Sequence, residues 1–344
     1  MPDSIASPQL WAVTIAVLLG LLALDFVLTR RPHDVPMREA VGWSVFYLAL
    51  PAAFGAYIWW DHGSTPGVEF FTGYVVEKSL SIDNLFVFML LMGSFAVPSK
   101  LVQRVLLYGI VGALVLRGIF IAAGAALLSA GTWAFLLFGA ILVLTAAKIL
   151  RDALRGSGHQ ADPGDMWITR RLRRLMPVTD EYHGARMTIR QAGKLALTPM
   201  ALVVAAVFLT DVVFAVDSVP AVYGVTSDPY LVFATNAFAL LGLRALYFVL
   251  RNALAKLRHL NHGLAVILAF IGAKLMLHWA HTVWPSVPDV PTALSLVVII
   301  VTLATVTATS LLTGRSQPDP SDPSEASEAS DAEPPAVEAE SARS

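Results

Sequence analysis

Apolar residues collect into nine runs, near residues 10–28, 41–60, 67–97, 105–128, 132–150, 199–225, 230–250, 263–283 and 292–312. Most are close to the roughly 20 residues that a helix needs to cross a bilayer. The pattern predicts an all-α, polytopic membrane protein of about nine transmembrane helices. The first run is expected to remain as a span, because residues 1–9 hold no basic residue and no small-residue cleavage site closes the run. Basic residues alternate between connections. Those after spans one, three, five and seven carry Arg30, Arg31 and Arg38; Lys100 and Arg104; nine Lys or Arg between Arg151 and Lys194; and Arg251, Lys256 and Arg258. Those after spans two, four, six and eight carry none. Positive charge is retained on the cytoplasmic side, so the amino terminus is expected outside and the carboxyl terminus in the cytoplasm. The long connection 151–198 is then cytoplasmic. Its middle, residues 167–177, is basic and aliphatic, which suits either a helix on the anionic inner surface or a solvated loop.

Two runs are interrupted by polar residues in matching order. Residues 77–88 read Glu-Lys-Ser-Leu-Ser-Ile-Asp-Asn-Leu-Phe-Val-Phe, and residues 210–222 read Thr-Asp-Val-Val-Phe-Ala-Val-Asp-Ser-Val-Pro-Ala-Val. Glu77 and Asp83 are six residues apart, as are Asp211 and Asp217. Each segment is followed by a helix with one arginine, Arg117 or Arg244, and then by one with a lysine, Lys148 or Lys274, at intervals of 31 and 30 residues. Three spans per copy is an odd number, so the second copy enters from the opposite side, the inverted repeat that many transporters use. The expected organisation is two amino-terminal transmembrane helices (1–66), a first three-helix repeat (67–150), the basic connection (151–198), a second three-helix repeat (199–284), a last transmembrane helix (285–313) and a disordered acidic tail (314–344).

Composition sharpens the chemistry. The chain is 56% hydrophobic and 14% charged, with a mean hydropathy of +0.66, which excludes an ordinary water-soluble domain. Residues 317–344 hold eight acids; without them 23 Lys and Arg face 17 Asp and Glu, so the body is basic. No cysteine is present, which removes disulfides and thiolate ligands and leaves oxygen or imidazole for any metal. Carboxylates are costly in hydrocarbon, so four in two matched helices point to use. With Ser81, Asn84, Thr210 and Ser218 nearby they suit Mg²⁺, Mn²⁺ or Ca²⁺. On a straight helix Glu77 and Asp83 lie about 120° and about 9 Å apart. Each therefore meets a partner from the other copy, or the helix loosens between them, as Pro220 would allow after Asp217. Crowded carboxylates cannot all ionise without a cation, so cation binding should expel protons. The structural alternative is pairing, with Glu77 or Asp211 neutralised by Arg117, Arg244 or Lys274. His183, His262 and His278 are expected to be interfacial or structural. No nucleophile arrangement suggests an enzyme, and nothing points to nucleic acid.

At these residues the chain resembles the TerC family of bacterial membrane proteins, named for tellurium resistance. The likeness extends to Leu24-Asp-Phe, the helix 106–120, Pro177-Val-Thr-Asp-Glu-Tyr-His-Gly, Asp228-Pro and Gly242-Leu-Arg-Ala-Leu-Tyr. The resemblance implies a lysine-exporter-like transporter of the bacterial inner membrane, associated with manganese efflux and tellurite resistance. It implies that Glu77, Asp83, Asp211 and Asp217 coordinate manganese with Asn84 and Ser218 beside them, while Ser81, Thr210, Arg117, Arg244, Lys148 and Lys274 support the site. Mn²⁺ is then the cargo, exported by proton-coupled alternating access, and no prosthetic group is expected. One departure is Phe208, where many relatives carry an acid. The competing expectation is a non-transporting scaffold that recruits stress-resistance partners through residues 151–198. Export of an organic cation, or of tellurite through the arginines, is a third. Carboxylates at the most specific positions repel an anion.

Overall fold

In the computed structural model, residues 4–28, 35–154, 178–179, 181–191, 194–250 and 260–314 are described. The apolar runs are helices: α1 (Pro8–Leu28), α2 (Met37–His62), α3 (Ser64–Ser94), α4 (Ser99–Ala130), α5 (Trp133–Leu154), α6 (Pro199–Tyr223), α7 (Pro229–Leu241), α8 (Leu243–Leu250), α9 (Leu260–Val283) and α10 (Thr292–Gly314). They are apolar on outer and inner faces alike, as a lipid-bathed helix must be. On α4, Val115 and Ile119 are 62% and 63% exposed while Arg117 between them is fully buried. Among the described residues seven helices are long and apolar enough to span a membrane, and α7 with α8 makes an eighth if that bent pair is one span. The expected nine included α3. At 31 residues it is long enough, but Glu69, Glu77, Lys78 and Asp83 load it with charge.

The apolar run 230–250 breaks where the sequence predicts a continuous span. Helices α7 and α8 meet at Gly242 with a 44° bend. A helix broken there strands carbonyls of its last turn, and Lys78 of α3 donates to one of them, the Ala239 oxygen, at 3.2 Å. The glycine eases the approach, since a Cβ on residue 242 would sit 3.0 Å from the Lys78 Nζ and 3.1 Å from the Tyr47 Cβ. Helix α6, by contrast, runs unbroken through Pro220 to Tyr223.

Helix α3 packs against α7 and α6 against α4, and α5 lies antiparallel along α9. The α5–α9 approach is close enough that a Cβ on Gly139 would lie 2.8 Å from the Gly272 oxygen, and one on Gly272 2.9 Å from the Gly139 oxygen. Small residues permit such contact where no hydrophobic force drives helices together. One buried apolar cluster joins α3, α5, α6 and α9, a second joins α3, α4 and α6 to α7 and α8, and a third fixes α1 and α2 to α7.

Before α6 the connection forms a hairpin, β1 (Thr188–Gln191) with β2 (Lys194–Leu197), which helical periodicity did not foreshadow. Val178 bridges to Leu197, and Tyr182 donates to the Phe95 carbonyl at 2.8 Å, tying the hairpin to the end of α3. Burial pushes the Tyr182 phenol up to about 12. The segment 167–177 and the tail from residue 315 lie outside the described residues.

Candidate functional site

Arg117 is the centre of the site. It faces inward from the middle of α4 and meets three elements at once. Nη1 donates to Glu77 Oε1 of α3 and to Asn236 Oδ1 of α7 at 2.8 Å. Nη2 and Nε reach the two oxygens of Asp211 on α6 at 3.3 and 3.5 Å. Asn236 is aimed by its own amide, which donates to the Val232 carbonyl at 2.9 Å. Glu77, Asp211 and Asn236 are all buried. One guanidinium thus holds two carboxylates, which leaves one formal negative charge in a region sealed from water. Glu77 Oε2 has no hydrogen-bond partner among the described residues.

From that oxygen a polar row runs down α3. Glu77, Ser81 and Asn84 are spaced i, i+4 and i+7, one face of a helix. Ser81 Oγ and Asn84 Nδ2 are buried and without partners among the described residues, and so is Ser218 Oγ across the interface on α6. Buried polar atoms are normally paired, so a line of orphans marks a place built for water or an ion. The row ends at a cavity of about 120 Å³ lined by Asn84, Asp217, Ser218, Thr145, Lys148 and Asp152.

The structure therefore distributes the residues that the sequence groups. Glu77 and Asp211 share Arg117, while Asp217, Asn84 and Ser218 share the cavity with Lys148. The Asp83 side chain lies outside the described residues, and among the described ones no three Asp, Glu or His side chains converge as a metal cage. Thr210 gives its hydroxyl proton to the Ala206 carbonyl one turn back. Arg244 lies elsewhere: the bend at Gly242 carries it to Asp25 of α1, with Nη2–Oδ1 and Nε–Oδ2 distances of 2.6 and 3.0 Å. Tyr47 of α2 also donates to Asp25, at 3.1 Å. Lys274 lines a different cavity, with His278. His183 is exposed beside the Glu181 carbonyl. Phe208 packs over Gly112, whose missing Cβ would fall 2.6 Å from the Phe208 ring.

Sequence reasoning gave no role to Asn236, Asp25 or Glu69. Each is a polar residue inside an apolar run, and that was the available signal. Of the two alternatives for the acids, pairing with Arg117 describes Glu77 and Asp211; Asp217 lines the polar cavity.

A family model described as "Integral membrane protein TerC family" matches residues 62–318. An uncharacterized membrane protein of Myxococcus xanthus is 39% identical over 275 residues, covering 80% of this chain and 85% of that protein. The Escherichia coli K12 protein named "Putative membrane-bound redox modulator Alx" is 40% identical over 285 residues, covering 80% and 88%. An uncharacterized membrane protein of Mycobacterium tuberculosis is 42% identical over 277 residues, covering 80% and 70%. No solved structure matches the chain.

Proposed function

Since the chain belongs to the TerC family of integral membrane proteins, we propose that it transports divalent metal cations, Mn²⁺ foremost, out of the cytoplasm. The observation that carries this reading is the sealed Glu77–Arg117–Asp211 centre with its orphaned oxygen and the polar row leading to the Asn84–Asp217–Ser218 cavity. A permanent negative charge in a dry interior is unfavourable, so the centre stands ready for a proton or a cation. Oxygen ligands of carboxylate, amide and hydroxyl type suit Mn²⁺, and the absence of cysteine removes thiolate ligands. The interlocked packing of α3 on α7 and α6 on α4 supports an inverted repeat, the arrangement in which two halves rock about a central site.

In this reading Arg117 is the resident counter-charge. Entering through the cavity, the cation meets Asp217, Asn84 and Ser218 first. Because the ligands bind metal only when deprotonated, its arrival expels protons, which couples export to the proton gradient. Tellurite resistance would be indirect, since acids repel that anion. The redox role in the Escherichia coli relative's name, if shared, cannot run through thiol exchange in a chain without cysteine; it would run through the metal. The protein sits in the bacterial inner membrane with its amino terminus outside and its carboxyl terminus in the cytoplasm.

A second reading is favoured by Tyr182, which docks the hairpin on the end of α3: a platform for a cytoplasmic partner, without transport. Everted membrane vesicles decide between them. Mn²⁺ should accumulate in preference to Mg²⁺, Ca²⁺, Zn²⁺ and tellurite, and no accumulation of any cation by a correctly inserted protein would overturn the transport reading.

A further inference from the structure

A second cavity, of about 220 Å³, lies at the other end of the same helices. It is lined by Glu69 of α3, Thr226 after α6, Lys274 and His278 of α9, and Asp289 and Thr292 before and at the start of α10. Along α9 the first cavity reaches Leu264 and the second Lys274, ten residues or about 15 Å apart. Between them Val76, Val219, Val222, Leu268 and Ile271 belong to one buried apolar cluster, an apolar layer between the cavities.

The two cavities are built alike. Each presents the lysine of the third helix in its unit, Lys148 in one and Lys274 in the other, with a titratable residue four positions on, Asp152 or His278. In the second, Glu69 accepts from Thr226 Oγ1 at 2.6 Å and Asp289 faces His278 at 3.2 Å. Lys274 is only 8% exposed. Its hydrogen bond is a long one to Thr292 Oγ1, 3.5 Å, and among the described residues it forms no ion pair. A nearly buried ammonium without a carboxylate in contact, set between two acids in a polar cavity, holds the place of a cation without filling it.

We propose that this second cavity is the exit chamber for a hydrated divalent cation, with Glu69 and Asp289 as its carboxylates and Lys274 as the charge that drives it out. The apolar layer is the closed gate between the chambers. The inference rests on the transport reading for direction, but the binding it asserts is measurable without flux. Lysine makes the chamber weak by design: a divalent ion must share the cavity with a fixed positive charge, so it is released rather than retained. A strong site there would stall export.

The chain contains no cysteine, so single-cysteine variants report cleanly. Ser227→Cys, at the rim of the second cavity, should react with a membrane-impermeant maleimide from one face of the membrane. Thr145→Cys, in the first cavity, should react from the other face. Millimolar Mn²⁺ should slow labelling of Ser227→Cys at least threefold. Glu69→Gln or Asp289→Asn should abolish that protection, and Lys274→Met should lower the Mn²⁺ concentration required at least tenfold. Labelling of both cysteines from the same face, or protection indifferent to all three charge variants, would overturn the proposal. Mn²⁺ flux by the wild type with no protection at Ser227→Cys would sink the chamber and leave transport standing. Protection without flux would do the reverse.

Discussion

Removing Arg117 should harm the protein more than removing either acid that it holds. Arg117→Met leaves Glu77 and Asp211 facing each other in a fully buried site without their cation. Breaking a buried pair by deleting one partner costs about 3–5 kcal/mol, and here two charges are stranded. Glu77→Gln is milder. The amide still offers an oxygen to Nη1, so a charged hydrogen bond becomes a neutral one at a cost of about 1 kcal/mol. The remaining Arg117–Asp211 pair is also electrically balanced, which offsets part of that cost. With about 1.5 °C of Tm per kcal/mol for a chain of this length, Arg117→Met should melt about 5–8 °C lower in detergent, and Glu77→Gln about 2 °C lower. The triple variant Arg117→Met, Glu77→Gln, Asp211→Asn removes every charge and should recover most of the loss. It should nevertheless move no Mn²⁺. Fluorescence-detected gel filtration after heating reads all three proteins. Arg117→Met as stable as the wild type, or a triple variant no better than Arg117→Met, would refute the view that Arg117 is the counter-charge of this centre.

Asp217→Asn should insert normally and lose Mn²⁺ export, because the amide keeps the shape but not the charge that offsets dehydration; vesicle uptake with a blotted protein level checks it, and full transport would remove Asp217 from the path. Calorimetry of Mn²⁺ binding in two buffers of different ionisation enthalpy should give different heats, since protons leave as metal enters; equal heats would end the proton-coupling argument. Tyr182→Phe should cost about 1 kcal/mol by losing the bond to Phe95. The phenol's raised value makes that contribution complete below the ordinary pH of about 10 and lost as pH climbs toward about 12, so the gap in Tm between the two proteins should be flat from pH 7 to pH 9. Gly272→Leu should separate α5 from α9, where even a Cβ would meet the Gly139 oxygen at 2.9 Å. Overpacking of this kind costs about 1–3 kcal/mol, and an unchanged Tm would contradict the close approach.

The spans were legible because hydrophobic length is a local property: residues 133–154 form α5 almost where the apolar run 132–150 lies. The acid–arginine relation was legible only as a set of options. Spacing names Glu77, Asp211 and three candidate cations, but the choice of Arg117 depends on which face of α4 turns inward. The partner of Arg244 was out of reach, since Asp25 is 219 positions away and the contact needs the bend at Gly242. A proline looked like the helix breaker, yet α6 tolerates Pro220 and a glycine at the end of the next helix provides the bend. The hairpin 188–197 is too short to show a strand period against its basic surroundings.

Glu77 and Lys78 are neighbours in sequence but serve different partners, because successive residues on a helix point about 100° apart. Glu77 grips Arg117 of α4, and Lys78 grips the Ala239 carbonyl at the bend of α7. Helix α3 is in effect a key with two teeth in two locks. A rotation of α3 that draws Glu77 from Arg117 would also draw Lys78 from the bent pair α7–α8. The charged centre and the break between α7 and α8 are thus anchored on adjacent residues of one helix, so a displacement of α3 is felt at both.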